Sequence, residues 1–212
     1  MTTRFQNNGQ SETKTKLVDA GIRLMRAKGY NATTVDDICG VAGMTKGAFF
    51  HYFKSKEDIA RSAIESFRDG KSEEFQNAPF RKLEDPLARL HGRVDFVKAS
   101  VGGPERLTKG CLVGVMAQEV SLTHPELRGL CQQAFAKISE EVTRDLALAK
   151  DAYAPQADFD PASVARFYVS IFQGSSMMAK ASDTNTVLMD NMEHFRRYLN
   201  YLFGQATPAM AK

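Results

Sequence analysis

The sequence predicts an all-α protein of about nine helices, with a small N-terminal helical domain followed by a larger C-terminal one. Three observations favour this fold class. Apolar residues recur three or four positions apart along most of the 212-residue chain, which is the spacing of one helical face. Ser, Thr or Asp precedes several of these stripes, and Gly or Pro follows them. The length suffices for one small core and one larger core.

The first elements are a flexible arm, expected over residues 1–11, and a helix that Ser11 caps and Gly29 ends. Two short helices joined by a tight turn follow in TTVDDICGVAGMTKGAFFHYFKSK, residues 33–56. Thr33 and Thr34 precede the first of these helices and Thr45 precedes the second, at positions where a hydroxyl can accept a hydrogen bond from an orphan backbone N–H group. Gly43 supplies the backbone freedom that a sharp turn between helices requires.

The second helix of this pair has two different faces. Phe49 and Phe53 are four residues apart and are predicted to lie in the core with Ile38 and Val41. The opposite arc carries a cation, small residues, aromatic rings and a histidine: Lys46, Gly47, Ala48, Phe50, His51 and Tyr52. Such an arc suits a DNA groove, since small residues admit the backbone, lysine meets phosphate or guanine, and an aromatic ring meets a thymine methyl group. The alternative is an ordinary helical hairpin with a charged, solvated face.

We therefore predict that this region binds a double-stranded DNA operator. The candidate DNA-binding residues are Thr34, Thr45, Lys46, Gly47, Ala48, Phe50, His51, Tyr52 and Lys56. The charge distribution favours the same interpretation. The net charge is +3, and residues 1–60 carry nine Lys and Arg against six Asp and Glu, whereas the remainder of the chain is neutral. A dimer would double this local positive excess.

The same stretch, extended to TTVDDICGVAGMTKGAFFHYFKSKEDI, resembles the N-terminal DNA-binding domain of the TetR/AcrR transcriptional repressors over about residues 12–67. Two positions depart from the family pattern: Phe50 stands where many members have tyrosine, and Cys39 stands where a small residue is usual. The resemblance implies a helix-turn-helix domain over residues 12–56 and an effector-binding and dimerisation domain over residues 57–204. Residues 205–212 are expected to form a flexible tail.

Prolines and glycines bound the helices that follow. The almost wholly apolar helix after Gly110 is expected to be buried, and Asp85 and Asp160 each precede a proline in a first helical turn. The predicted bounds are Ser55 to about Phe75, Asp85 to Val101, Cys111 up to His124, Pro125 to about Lys150, Pro161 to about Ala181, and Thr184 or Asn185 to Phe203.

The last two helices carry long apolar stripes, and one of them also carries the small residues Gly174, Ser175 and Ser176. These features suit a four-helix interface between two copies of the chain, as in the resembled family. Packing within one chain is the alternative, and each helix is expected to serve both. A homodimer is therefore expected, with an interface formed by Phe167, Ile171, Gly174, Met178, Met192, Phe195 and Leu199.

An effector pocket is expected between helices of the C-terminal domain. Methionine-rich and aromatic linings indicate a small hydrophobic molecule, and the candidate ligand-binding residues are Phe96, Cys111, Met116, Gln118, Phe135, Phe172 and Met177. Gly110-Cys111-Leu112 and Gln118-Glu119 also resemble a TetR subgroup that includes repressors responding to electrophiles or oxidants. A second hypothesis is thus a switch at Cys111, where the helix dipole and Lys109 favour a thiolate; a small packed thiol is the alternative.

Other function classes receive little support. No apolar run approaches 18 residues and the first 30 residues lack a signal-peptide core, so no membrane partner and a cytoplasmic location are expected. The three cysteines form no C-x-x-C pair or Cys/His cluster, which argues against metal. The chain lacks a phosphate-binding loop and a nucleophile elbow, so neither a cofactor nor an enzyme is predicted. A neutral C-terminal region disfavours an architectural DNA protein.

Overall fold

The computed structural model of the chain describes residues 4–101 and 110–204, and these residues form nine α-helices, one 3₁₀ turn at Pro79–Lys82 and no strand. The all-α fold class is confirmed. The helices are α1 Arg4–Lys28, α2 Val35–Ala42, α3 Lys46–Tyr52, α4 Lys56–Gln76, α5 Pro86–Val101, α6 Leu112–Val120, α7 Pro125–Tyr153, α8 Pro161–Ser182 and α9 Thr186–Leu202. The predicted tail over residues 205–212 lies outside the described residues, as does Lys109.

Local capping signals account for where the later helices begin. Asp85 accepts two hydrogen bonds of 3.1 Å from N–H groups in the first turn of α5. Asp160 does the same for α8, with two hydrogen bonds of 3.0 Å. In both helices a proline follows at the first helical position, where a missing N–H costs nothing. The predicted starts of α5 and α8 are confirmed.

The first helix begins earlier than its sequence indicates. α1 starts at Arg4, so the predicted start at Ser11 is wrong, and the described part of the expected arm, residues 4–11, is helical. A helix that is already nucleated gains one hydrogen bond with each residue added, and Asn7, Asn8 and Gly9 each oppose this by only about 1 kcal/mol or less. α1 ends at Lys28 as predicted, with Gly29 at φ 87°.

The helices pack into two compact units. The first, called here the N-terminal unit, contains the chain up to Ser72 together with Cys111–Ala134; the second, the C-terminal unit, contains Glu73–Gly110 and the chain from Phe135 onward. α6 and the first part of α7 therefore pack with the helix-turn-helix. The functional boundary predicted at residues 56 and 57 stays a prediction.

The N-terminal unit has its own apolar core. Side chains from α1, α2, α3, α4, α6 and α7, together with the residue that follows α3, have essentially no exposed surface: Leu17, Met25, Ile38, Phe49, Phe53, Ile59, Ile64, Leu112, Met116 and Leu127. Burying a side chain of this size contributes about 1.5–3 kcal/mol. The predicted burial of α6 is confirmed by Leu112, Val113, Met116 and Val120.

The core of the C-terminal unit uses residues that the sequence places at the dimer interface. It is formed mainly by α5, the second part of α7, α8 and α9. Met192, Phe195 and Leu199 lie inside it, with exposed fractions of 0%, 2% and 0%. Their assignment to the surface of a dimer is wrong, because packing of α9 on α5 and α8 already buries this stripe.

A buried ion-pair network joins the 3₁₀ turn and α5 to α7 within the C-terminal unit. Arg93, which is 2% exposed, donates to Glu141 over 3.1 Å. Arg81 donates to Glu141 and Asp145 over 3.1 and 3.0 Å, and Arg89 donates to Asp145 over 3.0 Å. Removal of one partner from such a buried network costs about 3–5 kcal/mol.

None of the described helices is both long enough and apolar enough to cross a lipid bilayer. Within residues 4–101 and 110–204, no group of His, Cys, Asp and Glu side chains is arranged to hold a metal ion.

Candidate nucleic-acid interface

α2 begins with a reciprocal cap. Thr34 Oγ1 accepts the N–H of Asp37 at 3.1 Å, and Asp37 Oδ2 accepts the N–H of Thr34 at 2.9 Å. Lys28 Nζ lies 2.7 Å from the same carboxylate oxygen. The Lys28 ammonium and then the hydrogen bonds from Thr34 hold the pKa of Asp37 well below its usual range. The N-cap prediction for Thr34 is confirmed; its contact with DNA stays a prediction.

The turn between α2 and α3 has the predicted geometry. Gly43 adopts φ 66°, a left-handed conformation that glycine reaches without steric cost. The N–H of Met44 donates to Cys39 O at 2.9 Å. Thr45 Oγ1 then accepts the N–H of Ala48 at 3.1 Å and caps α3. These local bonds fix the direction in which the short α3 leaves the turn.

The buried faces of α2 and α3 confirm most of the core prediction. Ile38, Phe49 and Phe53 are buried, and the rings of Phe49 and Phe53 lie 5.6 Å apart between centroids. Val41 is 45% exposed, so its assignment to the core is wrong. α2 buries Ile38 and Cys39, and Val41 lies about 60° around the helix from Ile38 on the side away from Cys39, at the edge of the buried face.

The outer face of α3, formed by Lys46, Gly47, Ala48, Phe50, His51 and Tyr52, is open. Lys46, Gly47, Phe50 and His51 are exposed, with Phe50 at 56%, and Ala48 and Tyr52 are half-buried. A Cβ atom on Gly47 would meet only Thr45 Oγ1, at 3.7 Å. Internal packing therefore does not require this glycine, although it weakens the helix by about 1 kcal/mol. Close approach of another molecule would require it.

An ion pair crosses from α2 to the start of α3. Lys46 Nζ lies 2.8 Å from Asp36 Oδ1, and both side chains are largely exposed. The hydrogen bond from Lys46 to Asp36 raises the pKa of Lys46. A cation at the first position of a helix meets the positive end of the dipole, and Asp36 offsets this repulsion. Asp36 is absent from the sequence-based candidates because its contact with Lys46 arises only from the turn geometry.

Lys56 is already engaged within the protein. Its Nζ donates to Tyr30 O at 3.0 Å and lies 4.2 Å from the centre of the Tyr30 ring. Neighbouring Lys54 is exposed. A contact between Lys56 and a phosphate group stays a prediction, and it would have to share the ammonium with Tyr30.

The candidate ligand-binding residues are divided between the two units. Cys111, Met116 and Gln118 belong to the N-terminal unit, where Met116 is fully buried and the Gln118 side chain is exposed. The other four belong to the C-terminal unit: Phe96, Phe135, Phe172 and Met177. Their role in binding an effector stays a prediction.

The three thiols have different surroundings. Cys39 and Cys131 are buried, and burial raises the pKa of both, to about 11 for Cys131. Cys111 is half-buried at the N-cap position of α6, and its side chain makes no capping hydrogen bond. Lys109, which the sequence argument pairs with Cys111, lies outside the described residues.

An apolar stripe runs along one side of α8. It consists of Phe167, Ile171, Gly174 and Met178, spaced three or four residues apart; Phe167 is 47% exposed, Met178 is 53% exposed, and the other two are half-buried. An open cleft of about 410 Å³ adjoins this α8 stripe. It is lined by Ser163, Val164, Phe167, Ile171, His194, Phe195 and Tyr198.

Contacts with the loop between α1 and α2 were also not predicted from the sequence. Glu119 on α6 accepts the N–H of Asn31 at 2.8 Å, from a position 88 residues away in the chain. His124 contacts Tyr30 from 94 residues away. Neither contact is predictable from the sequence, because no local pattern reports pairings at such separations.

Comparisons with known proteins agree with this architecture. A family model described as bacterial regulatory proteins, tetR family, matches residues 17–63. A second model, described as a tetracyclin repressor-like C-terminal domain, matches residues 86–196. The two matches together include α2, α3, α8 and most of α9.

Individual relatives cover most of the chain. The transcriptional regulator AcuR of Cereibacter sphaeroides is 31% identical over 170 residues, which are 77% of this chain and 74% of that protein. The HTH-type transcriptional repressor DhaR of a Mycobacterium species is 23% identical over 91% of each protein. The crystal structure of regulatory protein TetR from Rhodobacter sphaeroides has a TM-score of 0.77 and 25% identity, and covers 89% of this chain and 97% of that one.

Proposed function

The chain belongs to the TetR family and is a DNA-binding transcriptional regulator, and we propose that it is a repressor that binds a near-palindromic operator as a homodimer and is released by a small hydrophobic effector. Repressors are among its relatives, DhaR by name. The proposal places it in the cytoplasm, where its DNA is, and assigns it no enzymatic reaction.

The observation that carries the DNA-binding role is the outer face of α3. Gly47 has no internal packing requirement and lies beside the exposed Lys46 and Phe50. A lysine can reach guanine or phosphate, a phenylalanine can meet a thymine methyl group, and a glycine lets the helix backbone approach the groove. We assign base contacts to Phe50, His51 and Tyr52, and phosphate contacts to Thr34, Thr45 and Lys56.

A second copy of the chain is proposed as the partner of the α8 stripe. Phe167 and Met178 expose about half of their surfaces along one side of a helix, next to an open apolar cleft. Contiguous exposed apolar surface of this kind marks an interaction site. A two-fold pair would bury both stripes and present two copies of α3 to the two halves of an operator.

We assign the effector to the C-terminal unit. Phe96, Phe135 and Phe172 are half-buried there and supply apolar surface for a small molecule. An effector that favours one arrangement of the dimer needs a coupling free energy of only about 1–3 kcal/mol to change operator binding. This assignment is tested by adding apolar and aromatic compounds to the complex of protein and operator and measuring whether the protein releases the operator.

The test of DNA binding starts from a random duplex library. The wild-type protein selects an operator, and its dissociation constant is measured over a range of salt concentrations. Lys46→Ala should weaken binding to all duplexes and reduce the salt slope by about 1. His51→Ala and Tyr52→Ala should reduce discrimination between the operator and variants of it, at about 1–3 kcal/mol per lost base contact.

Lys82→Ala is the matched control, because Lys82 is an exposed lysine of the C-terminal unit. This variant removes the same charge and should keep the wild-type operator affinity. If the α3 variants and the control bind alike, α3 does not contact DNA. If the wild-type protein selects no duplex from the library, the proposed function is wrong.

A further inference from the structure

The loop between α1 and α2, residues 29–34, is held by a carboxylate from α6. Glu119 Oε2 accepts the N–H of Asn31 at 2.8 Å. The same carboxylate occupies the space above Gly29: a Cβ atom there would lie 1.8 Å from Glu119 Oε1. Gly29 also adopts φ 87°, which disfavours any residue with a side chain. The absence of a side chain at position 29 thus admits the Glu119 carboxylate.

The turn between α6 and α7 holds the same loop at its next residue. The buried Tyr30 ring meets the His124 ring edge-to-face, with centroids 5.0 Å apart. Tyr30 OH and His124 Nε2 share a hydrogen bond of 3.3 Å. The other ring nitrogen of His124 is paired with Thr123 Oγ1 at 2.8 Å, which fixes the orientation of the imidazole. Glu119 and His124 therefore hold two parts of one loop.

Hydrogen bonds within the loop connect these contacts to α2. The buried Thr33 donates from Oγ1 to Gly29 O at 2.6 Å, and its N–H donates to Tyr30 O at 3.1 Å. The next residue, Thr34, caps α2. These hydrogen bonds connect Gly29 and Tyr30 to Thr33, the residue before the α2 cap.

We infer that Glu119 and His124 are positioning residues, which fix the helix-turn-helix to α6 and the start of α7 and thereby set where α3 is presented to DNA. By sequence, α6 lies in the part of the chain matched by the family's C-terminal domain, residues 86–196, whereas by packing it belongs to the N-terminal unit. The inference rests on the proposed function, since it assigns a regulatory element to the same DNA-binding site.

The test measures the half-site spacing that the protein accepts, because a merely destabilising change would not alter this preference. The selected operator is compared with duplexes whose central spacer is one or two base pairs longer or shorter. Glu119→Ala should reduce the preference for the selected spacing about tenfold, the factor that one charge-assisted hydrogen bond supports. Glu119→Gln keeps an acceptor for Asn31 and should restore most of the preference.

Gln132→Ala is the control, because Gln132 is an exposed residue of α7 within the same N-terminal unit. It should keep the wild-type preference. His124→Ala should act like Glu119→Ala. Hydrogen exchange provides a measurement without DNA: amides of residues 29–37 should exchange faster in Glu119→Ala than in the wild-type protein or in Gln132→Ala.

The inference is overturned if Glu119→Ala leaves both the spacing preference and the exchange of residues 29–37 at wild-type values. The same holds if Glu119→Ala only lowers the melting temperature and weakens all spacings equally. If the wild-type protein selects no duplex, the proposed function fails separately, and the exchange experiment still decides whether Glu119 holds the loop.

Discussion

The outer face of α3 and the α8 stripe both expose large apolar side chains, yet their neighbours differ. Phe50 is 56% exposed on α3, and Phe167 is 47% exposed on α8. Near Phe50 on α3 lie the cationic Lys46 and Gly47, a glycine that internal packing does not require. Around Phe167 lie Ile171 and the apolar wall of a cleft.

This difference is the reason why we propose a different partner for each surface. A duplex offers phosphate charge and base edges, so a surface that binds it combines cations with a few apolar contacts and small residues. A second copy of the chain offers the same apolar stripe again, so that surface needs no charge of its own. The identity of the neighbours distinguishes the two surfaces better than the exposed area does.

The largest expected effect is on the α8 stripe. Phe167→Asp places a carboxylate in the proposed apolar interface, and we expect the dimer to dissociate and operator affinity to fall roughly 100-fold. Sedimentation and gel shift measure the two effects. Leu148→Asp, at an exposed apolar residue on α7 of the C-terminal unit, is the control and should remain dimeric. Met178→Asp repeats the test at a second position. If both stripe variants remain dimeric and bind the operator with wild-type affinity, the α8 stripe is not the dimer interface.

The next largest effect is expected at Gly47 on α3, where one substitution should change stability and DNA affinity in opposite directions. Gly47→Ala should raise the free energy of unfolding by about 0.5–1 kcal/mol, because alanine is the better helix former. It should lower operator affinity about tenfold, since the added methyl group keeps α3 from the groove. Denaturant unfolding and gel shift report the two quantities.

Gly40→Ala is its control, because a Cβ atom at Gly40 on α2 meets nothing within 4 Å. This variant should gain stability and keep the affinity. Equal affinities for Gly47→Ala and Gly40→Ala would show that the backbone of α3 does not approach DNA closely.

A smaller effect is expected at the ion pair between α2 and α3. Asp36→Ala releases Lys46 and removes a negative charge near the duplex, so affinity for non-operator DNA should rise about threefold to tenfold and the salt slope should steepen. Asp19→Ala removes an exposed carboxylate from α1 and serves as the control. Unchanged salt slopes in Asp36→Ala would mean that Lys46 stays away from the phosphates.

The smallest expected effect is a pH dependence of the protein's stability. It arises from Asp37 and involves neither the outer face of α3 nor the α8 stripe. The folded-state pKa of Asp37 is depressed by Lys28 and Thr34, so its contribution to stability is complete above the ordinary aspartate pKa of about 4 and is lost as the pH falls below it. Lys28→Met should therefore show a smaller drop in melting temperature between about pH 6 and pH 3 than the wild-type protein. Lys82→Met is the control, and a drop equal to that of the wild-type protein in Lys28→Met would contradict the role of this ion pair.

Much of the fold was predictable because helix boundaries depend on neighbouring residues. Thr34, Thr45, Asp85 and Asp160 cap helices where the sequence places them. The exception is the start of α1, where propagation of a nucleated helix outweighs weak local preferences. The outer face of α3 was predictable as well, since helical periodicity separates it from Phe49.

The candidate site was predictable only in part. The sequence separates apolar from polar positions, but it does not say which apolar stripe packs inside the chain. Met192 and Leu199 have the same periodicity as Phe167, and only packing shows that they are internal whereas Phe167 is half-exposed. Likewise, Asp36 meets Lys46 only because the turn at Gly43 brings them together.

The sequence by itself determined the all-α class, the helix-turn-helix and the composition of the α3 surface, because caps, turns and periodicity are interactions among residues a few positions apart. Only the tertiary structure decided that α6 packs beside the loop preceding α2, that Glu119 and His124 hold this loop, and that α9 lies largely inside the C-terminal unit. Contacts between residues that are 88 or 94 positions apart depend on how whole helices pack, and no local pattern encodes that choice.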